Sequence, residues 1–355
     1  MYKCLIVAIL LLFQIPTVGA SPKLNGFKNV YEDLDLSLYC QQKYGSGSKV
    51  DFASNHMYGV GCKNFFGNRF SLDMDAVCRK QFGSDSEALL TGVHKYDWKC
   101  ANWEKMNDVV IPIIIVSADY VFDIDAVDGA ISNVAAVLKN VQSWYADHLP
   151  ESLGRRTFTI ARPMIKVSWD SANYWNRLSC NTAEPTELHY PDECLPLFSS
   201  KNRNALYYTA SEEANEIMKN FKASTGSDGR TVVSVFVFSG KTDAIFHGAA
   251  ATGPYPSDGT GKPTDPGVYY NVMGPDIAGC TDLNERCGFY GVAHEIGHSF
   301  GRPHPKCSSS DTVCRNAVMG SQRDPDKATL TLDDIAWLRQ SPFFSEVWPW
   351  AYLVN

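Results

Sequence analysis

The chain is poor in charge and has no cluster of basic residues. Of its 355 residues only 20% are charged, and 32 basic against 39 acidic side chains give a formal net charge of -7. Nucleic acids and anionic membranes attract proteins through concentrated positive charge, so this composition argues against both as partners. Gly-X-Y and heptad repeats are also missing, and an aromatic share of 12% is too high for a disordered chain. The composition indicates a globular protein, long enough for two domains.

Beyond the N-terminus the sequence has no apolar run long enough to cross a bilayer. At the N-terminus itself, Lys3 precedes the apolar run 5–13, and the small residues 18–20 form a cleavage site. This pattern predicts a signal peptide over residues 1–20 and a secreted, extracellular protein. A membrane anchor is the alternative, but the run is shorter than the roughly 20 residues that a span needs.

Free thiols are not expected in a secreted chain. Removal of the signal peptide would take away Cys4 and leave an even number of the 11 cysteines. Secretion makes disulfides the default state, with a structural zinc site as the alternative. Sequence alone cannot fix the connectivity, but pairing of neighbours is our first choice because the first two pairs enclose loops of equal length. The expected pairs are Cys40 with Cys62, Cys78 with Cys100, Cys180 with Cys194, Cys280 with Cys287, and Cys307 with Cys314.

An internal repeat precedes the main part of the chain. Residues 34–62 and 72–100 align without a gap at a period of 38. Each copy is too small to bury a core, which gives a disulfide staple a physical role. We expect residues 34–103 to form a tandem paired-cysteine module that is kept as an accessory unit for a surface or glycan ligand. An inhibitory pro-segment is the alternative, and the equivalent histidines His56 and His94 serve either packing or binding.

From residue 107 onward, long apolar runs replace the repeats. Val109–Val116 is nearly continuous, which predicts a strand buried on both faces. Apolar residues at spacings of three and four over 127–149 predict an amphipathic helix. The remaining elements predicted from the pattern are strands at 157–167, 231–238, 244–252 and 268–273, a loop-rich insertion at 170–203, a helix over 206–221, and a last helix that begins near a capping box at residues 331–334.

A group of histidines follows the last predicted strand. Residues 294–304 read His-Glu-Ile-Gly-His-Ser-Phe-Gly-Arg-Pro-His. On a helix, His294 and His298 project from the same face, whereas Glu295 points about 100° away from His294. Gly301 can adopt a left-handed helix end and turn the chain, which would bring His304 back toward the other two. Three neutral imidazoles with an open fourth position describe a catalytic zinc site.

This signature resembles that of the metzincin zinc peptidases. Met319, fifteen residues after His304, resembles the methionine of the Met-turn that this family places beneath its metal. The resemblance covers residues 107–345 and leaves a C-terminal tail at 346–355. It implies an α+β/α/β fold, with a twisted, mostly parallel five-stranded sheet, an antiparallel edge strand, an active-site helix and a C-terminal helix. No subfamily fits throughout, since Ser321 stands where some members have a tyrosine.

Together these features predict a secreted, monomeric zinc endopeptidase that acts on protein or peptide substrates. One Zn²⁺ ion on the three histidines would activate a water molecule, and Glu295 would take its proton and pass it to the leaving amine. Two alternatives stay open: a surface- or glycan-binding protein with a vestigial zinc domain, and a zinc hydrolase acting on a non-peptide bond.

A small-residue strand is the candidate substrate-binding edge. It contains Gly248, Ala249, Ala250 and Ala251. Small side chains leave the backbone open, so that an extended peptide could pair with it as an added strand. A plain edge strand without this role is an equal alternative.

Overall fold

The computed structural model describes ten stretches of the chain. They are residues 26–150, 156–168, 219, 230–238, 248–251, 267–273, 289–305, 311–320, 326–344 and 346–347. Outside them lie the predicted signal peptide, the insertion 170–203, the predicted helix 206–221 except residue 219, most of the tail, and Cys180, Cys194, Cys280, Cys287 and Cys307. In the described stretches, every helix is too short or too polar to cross a membrane.

The described residues form six α-helices and fourteen strands. The helices are α1 (Leu36–Tyr44), α2 (Met74–Phe82), α3 (Ile124–His148), α4 (Phe289–Ser299), α5 (Thr312–Asn316) and α6 (Leu332–Leu338). The strands are β1 (Tyr31–Asp33), β2 (Lys49–Phe52), β3 (Val60–Lys63), β4 (Arg69–Ser71), β5 (Ala88–Leu90), β6 (Trp98–Ala101), β7 (Val109–Val116), β8 (Arg156–Thr157), β9 (Thr159–Ile160), β10 (Met164–Val167), β11 (Arg230–Phe238), β12 (Gly248–Ala251), β13 (Gly267–Met273) and β14 (Glu346–Val347).

The centre of the fold is a mixed sheet in which β10, β7, β11 and β13 run parallel in that order. β12 pairs antiparallel with β13 at one end. This part has the predicted five-strand arrangement, and all eight residues of β7 are buried, as their apolar run predicts. The single strand predicted over 157–167 is wrong, because that stretch is divided among β8, β9 and β10. Pro163 lies between β9 and β10, where its missing N–H cannot support a continuous ladder.

The sheet is larger than the five strands predicted, because the N-terminal region adds three strands and β9, which pairs parallel with β7, is the ninth. β5 pairs antiparallel with β10, β6 pairs with β5, and β1 pairs with β6. Without these strands, β10 would present an unpaired edge, which proteins normally cover. The N-terminal region is thus built into the same sheet as the strands that follow residue 107.

Two similar units make up the N-terminal region. Helices α1 and α2 begin after the N-caps Asp35 and Asp73, whose carboxylates each accept a backbone N–H of the first turn. Each helix is joined to a later strand by a disulfide that spans 22 residues. These bonds, Cys40–Cys62 and Cys78–Cys100, confirm the first two expected pairings. The strands β1, β2 and β3 correspond to β4, β5 and β6, but β2, β3 and β4 form a separate three-stranded sheet, whereas β1, β6 and β5 belong to the main sheet.

Both repeat histidines are buried at the junction between these units and the long helix α3. His56 Nε2 donates a hydrogen bond to the carbonyl oxygen of Val121 at 2.7 Å. His94 Nε2 lies 2.9 Å from a carboxylate oxygen of Asp128 on α3. The backbones of His56 and His94 also pair in an isolated antiparallel bridge. These contacts give both rings a packing role.

The hydrophobic core continues across the same junction. Met57, Leu90 and Val93 belong to one buried cluster with side chains of β7, α3 and α4. The Trp98 indole N–H donates to the carbonyl oxygen of Met57 at 3.0 Å. The main core therefore extends across this junction, and Tyr39, Val60, Met74 and Val77 form a second, smaller buried cluster within the units.

Candidate active site

Helix α4 carries the first two histidines of the motif on one face. The Nε2 atoms of His294 and His298 are 3.0 Å apart, as expected for residues one helical turn from each other. Glu295 lies between them in sequence and is partly buried. The helix lies against both β12 and β13, at the antiparallel end of the sheet.

A tight turn at the end of α4 brings in the third histidine. Gly301 has a φ of 84°, the left-handed conformation predicted for it. The N–H of Gly301 donates to the His298 carbonyl oxygen at 2.8 Å, and that of Arg302 to the Gly297 carbonyl oxygen at 3.1 Å. These two bonds define a Schellman motif. As a result, His304 Nε2 lies 3.2 Å from the Nε2 atoms of both other histidines.

Hydrogen bonds on the far side of two rings fix their orientation. His294 Nδ1 donates to the carbonyl oxygen of Val318 at 2.8 Å, and His298 Nδ1 to that of Arg302 at 2.5 Å. With the proton on Nδ1, each Nε2 keeps its lone pair and points it at the common centre. Burial, helped by the neighbouring His294, lowers the pKa of His298 to about 4, so that this ring is neutral at physiological pH.

The three nitrogens have the spacing that a tetrahedral metal requires. Each Nε2 is 3.0 to 3.2 Å from the other two. Ligands about 2.0–2.1 Å from one tetrahedral ion are about 3.3–3.4 Å apart. Three imidazole nitrogens in a nearly equilateral triangle therefore fit a zinc ion, with a fourth position left for a reactant.

Met319 packs against the helix that carries the first two histidines. The side chain is buried and packs against α4 at Gly297. A Cβ atom at Gly297 would collide with the Met319 sulfur and lie 2.9 Å from the hydroxyl oxygen of Tyr145. The Tyr145 hydroxyl in turn donates to the carbonyl oxygen of Ala293 at 2.9 Å. A glycine inside a helix is the one sequence signal that could have revealed this close packing.

Helix α6 holds the turn that carries His304. Arg302 forms a buried ion pair with Asp334, with 2.7 Å between Nε and Oδ1. Its guanidinium also lies over the Trp337 ring, 5.4 Å from the centroid, and the Trp337 indole N–H donates to the Phe300 carbonyl oxygen at 2.7 Å. Asp334 closes the capping box with Thr331, which confirms the predicted start of this helix. The histidine motif does not predict these contacts, because Asp334 and Trp337 are distant from it in the chain.

The structure places the candidate substrate strand beside this centre. β12, which contains Gly248, Ala249, Ala250 and Ala251, ends the strand order next to β13. α4 packs against the same two strands. The backbone of β12 and the three histidines therefore lie at the same end of the described sheet.

Replacing Gly297 by alanine should destabilise the protein by about 1–3 kcal/mol, because the added methyl group overpacks the contact with Met319. Gly129→Ala is the matched control, since a Cβ atom at this helical glycine of α3 meets nothing within 4 Å. We expect the control to gain up to about 1 kcal/mol from helix propensity. Urea unfolding of both metal-free variants measures the difference. Equal effects at the two sites would contradict the packing described here.

A known protein family covers the part of the chain that contains this site. The family described as metallo-peptidase family M12 (Reprolysin_5) matches residues 109–329. Metalloproteinase-II from Bacteroides fragilis is a similar solved structure, with 10% identity, a TM-score of 0.31, and coverage of 84% of this chain and 80% of that one. No curated protein matches the chain. The family match spans more than half of the chain and includes both α4 and Met319. This chain belongs to metallo-peptidase family M12.

Proposed function

We propose that this protein is a secreted zinc endopeptidase in which His294, His298 and His304 bind the metal and Glu295 is the general base. The observation that carries the proposal is the triangle of Nε2 atoms, 3.0 to 3.2 Å on each side. Membership of a metallo-peptidase family supports peptide bonds as the substrate. The two disulfides of the N-terminal units suit an oxidising, extracellular location.

In this mechanism the chain orients the reactants around the histidines. A zinc ion held there would supply the Lewis acidity that polarises a peptide carbonyl and makes a water molecule acidic near neutral pH. Glu295 lies one residue from His294 on α4, and its carboxylate accepts the proton of the attacking water. The same carboxyl group then delivers this proton to the nitrogen of the leaving amine. The hydrogen bonds to the carbonyl oxygens of Val318 and Arg302 keep the His294 and His298 rings in a fixed orientation during the reaction.

Substrate is proposed to lie along β12 in an extended conformation. The strand is at the end of the described sheet beside α4, and its sequence of one glycine and three alanines keeps bulky side chains away from the backbone. Backbone pairing of this kind does not require contact with the N-terminus or the C-terminus of a peptide. We therefore propose cleavage within polypeptide chains.

The N-terminal units are proposed to stay with the active enzyme, although not as a separable module. Residues 34–103 contribute β5 and β6 to the main sheet and Met57, Leu90 and Val93 to its core. Proteolytic removal of this region would expose the edge of β10 and a large apolar surface. This arrangement suits a permanent part of the enzyme better than a pro-segment.

Metal analysis of His304→Ala tests the proposed metal site. The wild-type chain should carry one zinc per molecule, and the variant should lose it during dialysis, because two imidazoles hold the ion far more weakly than three. His148→Ala is the matched control, since this histidine lies at the end of α3 and bonds the carbonyl oxygen of Trp144. A full equivalent of zinc in His304→Ala would contradict the three-histidine assignment.

Activity is tested on a denatured protein mixture, with and without a zinc chelator. We expect new internal termini in mass spectra, formed only when the metal is present. Cleavage confined to terminal residues would contradict the endopeptidase assignment, and cleavage that persists in the chelator would contradict the metal mechanism.

A further inference from the structure

Two phenylalanines project from the turn between β3 and β4. Phe65 is 83% exposed and Phe66 is 84% exposed. Their rings meet edge to face, with 5.7 Å between centroids. Isolated apolar residues on a surface are common, but adjacent aromatic side chains at the tip of a hairpin form a small apolar knob. We call residues 64–68, which form this turn, the aromatic tip.

The aromatic tip is held in one shape by its own hydrogen bonds. The N–H of Asn64 donates to the Asn68 carbonyl oxygen at 3.0 Å, and the N–H of Asn68 to the Asn64 side chain at 2.9 Å. Gly67 takes a φ of 86° and donates to the Asn64 carbonyl oxygen at 3.0 Å. The Phe65 side chain also packs against Gly47. A Cβ atom added at Gly47 would lie 3.4 Å from the Cβ atom of Phe65. The hydrogen-bonded conformation of the turn therefore keeps both phenylalanine rings exposed.

Basic side chains stand in a row directly behind the tip. Lys49 on β2 lies opposite Lys63 on β3, and Lys63 lies opposite Arg69 on β4. Directly opposed residues of paired strands share one face of the sheet. Like charges in this position are destabilising, so their presence needs a reason other than folding. Arg69 is neutralised by Asp51 at 2.7 Å, which leaves the two lysines as the source of positive charge.

We propose that the aromatic tip is an anchor for an anionic lipid surface. The two rings would enter the interface between headgroups and acyl chains, while Lys49 and Lys63 meet phosphate or carboxylate groups at headgroup depth. A convex knob of two side chains is suited to insertion between lipids, whereas a protein partner requires a much broader complementary surface. The assignment is independent of the proposed peptidase activity.

The overall composition argues against anionic membranes only as an average over the whole chain. A chain of net charge -7 is repelled by anionic membranes on average. The sequence shows no basic cluster, because the residues of the row belong to three separate strands and meet only when the strands pair. A row of positive charge on this small sheet would favour a single docking orientation, with the aromatic tip toward the lipid.

Vesicle co-sedimentation of the full chain, secreted from host cells, tests the proposal. The vesicles contain either phosphatidylcholine alone or phosphatidylcholine and phosphatidylserine at a ratio of about 7:3. We expect binding to the second kind only, and a drop of about tenfold or more in the partition coefficient for the double variant Phe65→Ser with Phe66→Ser. The variant Lys49→Gln with Lys63→Gln should lose most of the binding and its salt dependence. Phe122→Ser, which removes another aromatic side chain of 69% exposure, is the matched control.

A fluorescent variant separates insertion from surface attraction. Phe66→Trp should shift its emission to the blue on addition of the phosphatidylserine vesicles, because the ring leaves water. Each variant is also assayed for thermal unfolding and for cleavage of a soluble peptide, both of which should match wild type. Equal sedimentation of wild type and the double phenylalanine variant would overturn the proposal. So would a wild-type dimer that these substitutions convert to a monomer, since the tip would then contact a second copy of the chain.

Discussion

Glu295→Gln should lower kcat/KM for peptide cleavage by about 10²- to 10⁴-fold and leave a full equivalent of zinc bound. The amide has the shape of the carboxylate but cannot accept the proton of the attacking water. The residue lies on α4 beside His294, while the triangle of Nε2 atoms is complete without it. The substitution should therefore lower kcat without changing the affinity for the metal.

Two measurements separate this result from a structural effect. Metal analysis and thermal unfolding of Glu295→Gln should match wild type, and Glu104→Gln, on the exposed surface of the N-terminal region, should keep full activity. Loss of zinc from Glu295→Gln would show that Glu295 is a metal ligand, and the proposed proton transfer would be wrong. Retained activity would assign the base to another residue.

The geometry of the histidines could be predicted because it is set by local structure. His294 and His298 face the same way through helix periodicity alone, and Gly301 allows the left-handed turn that returns His304. The strand β7 and the helix α3 could also be predicted, since each has a long and regular apolar pattern. In these places one short segment contains all the information that its conformation requires.

What surrounds the histidines depends on residues far away in the chain. Arg302 meets Asp334, and the Tyr145 hydroxyl reaches the carbonyl oxygen of Ala293, through contacts that no local pattern encodes. The same holds for the sheet, because β5 pairs with β10 through Leu90 and Ile165. A repeat with its own disulfides indicates independent units, and nothing in its sequence reveals that its strands complete another sheet.

Val93→Asp should destabilise the whole protein, including the peptidase site, by at least about 4 kcal/mol. Val93 is 0% exposed and belongs to the buried cluster that also contains Met57 of the first unit and side chains of α3 and α4. An unpaired carboxylate there is removed from water at the junction that the two parts of the chain share. A loss of this size is a large share of the roughly 5–15 kcal/mol that stabilises a typical domain.

The matched control is Tyr96→Asp, three residues away and 63% exposed, which should change the unfolding free energy by about 1 kcal/mol or less. Urea unfolding followed by peptide cleavage at each denaturant concentration measures stability and activity together. If the N-terminal region is part of the peptidase fold, both signals shift to lower urea in Val93→Asp and stay coincident. A chain of residues 104–355 should then be insoluble, because β10 loses its neighbour β5. A soluble 104–355 fragment with wild-type activity, or a Val93→Asp variant whose activity survives loss of N-terminal structure, would show two independent domains.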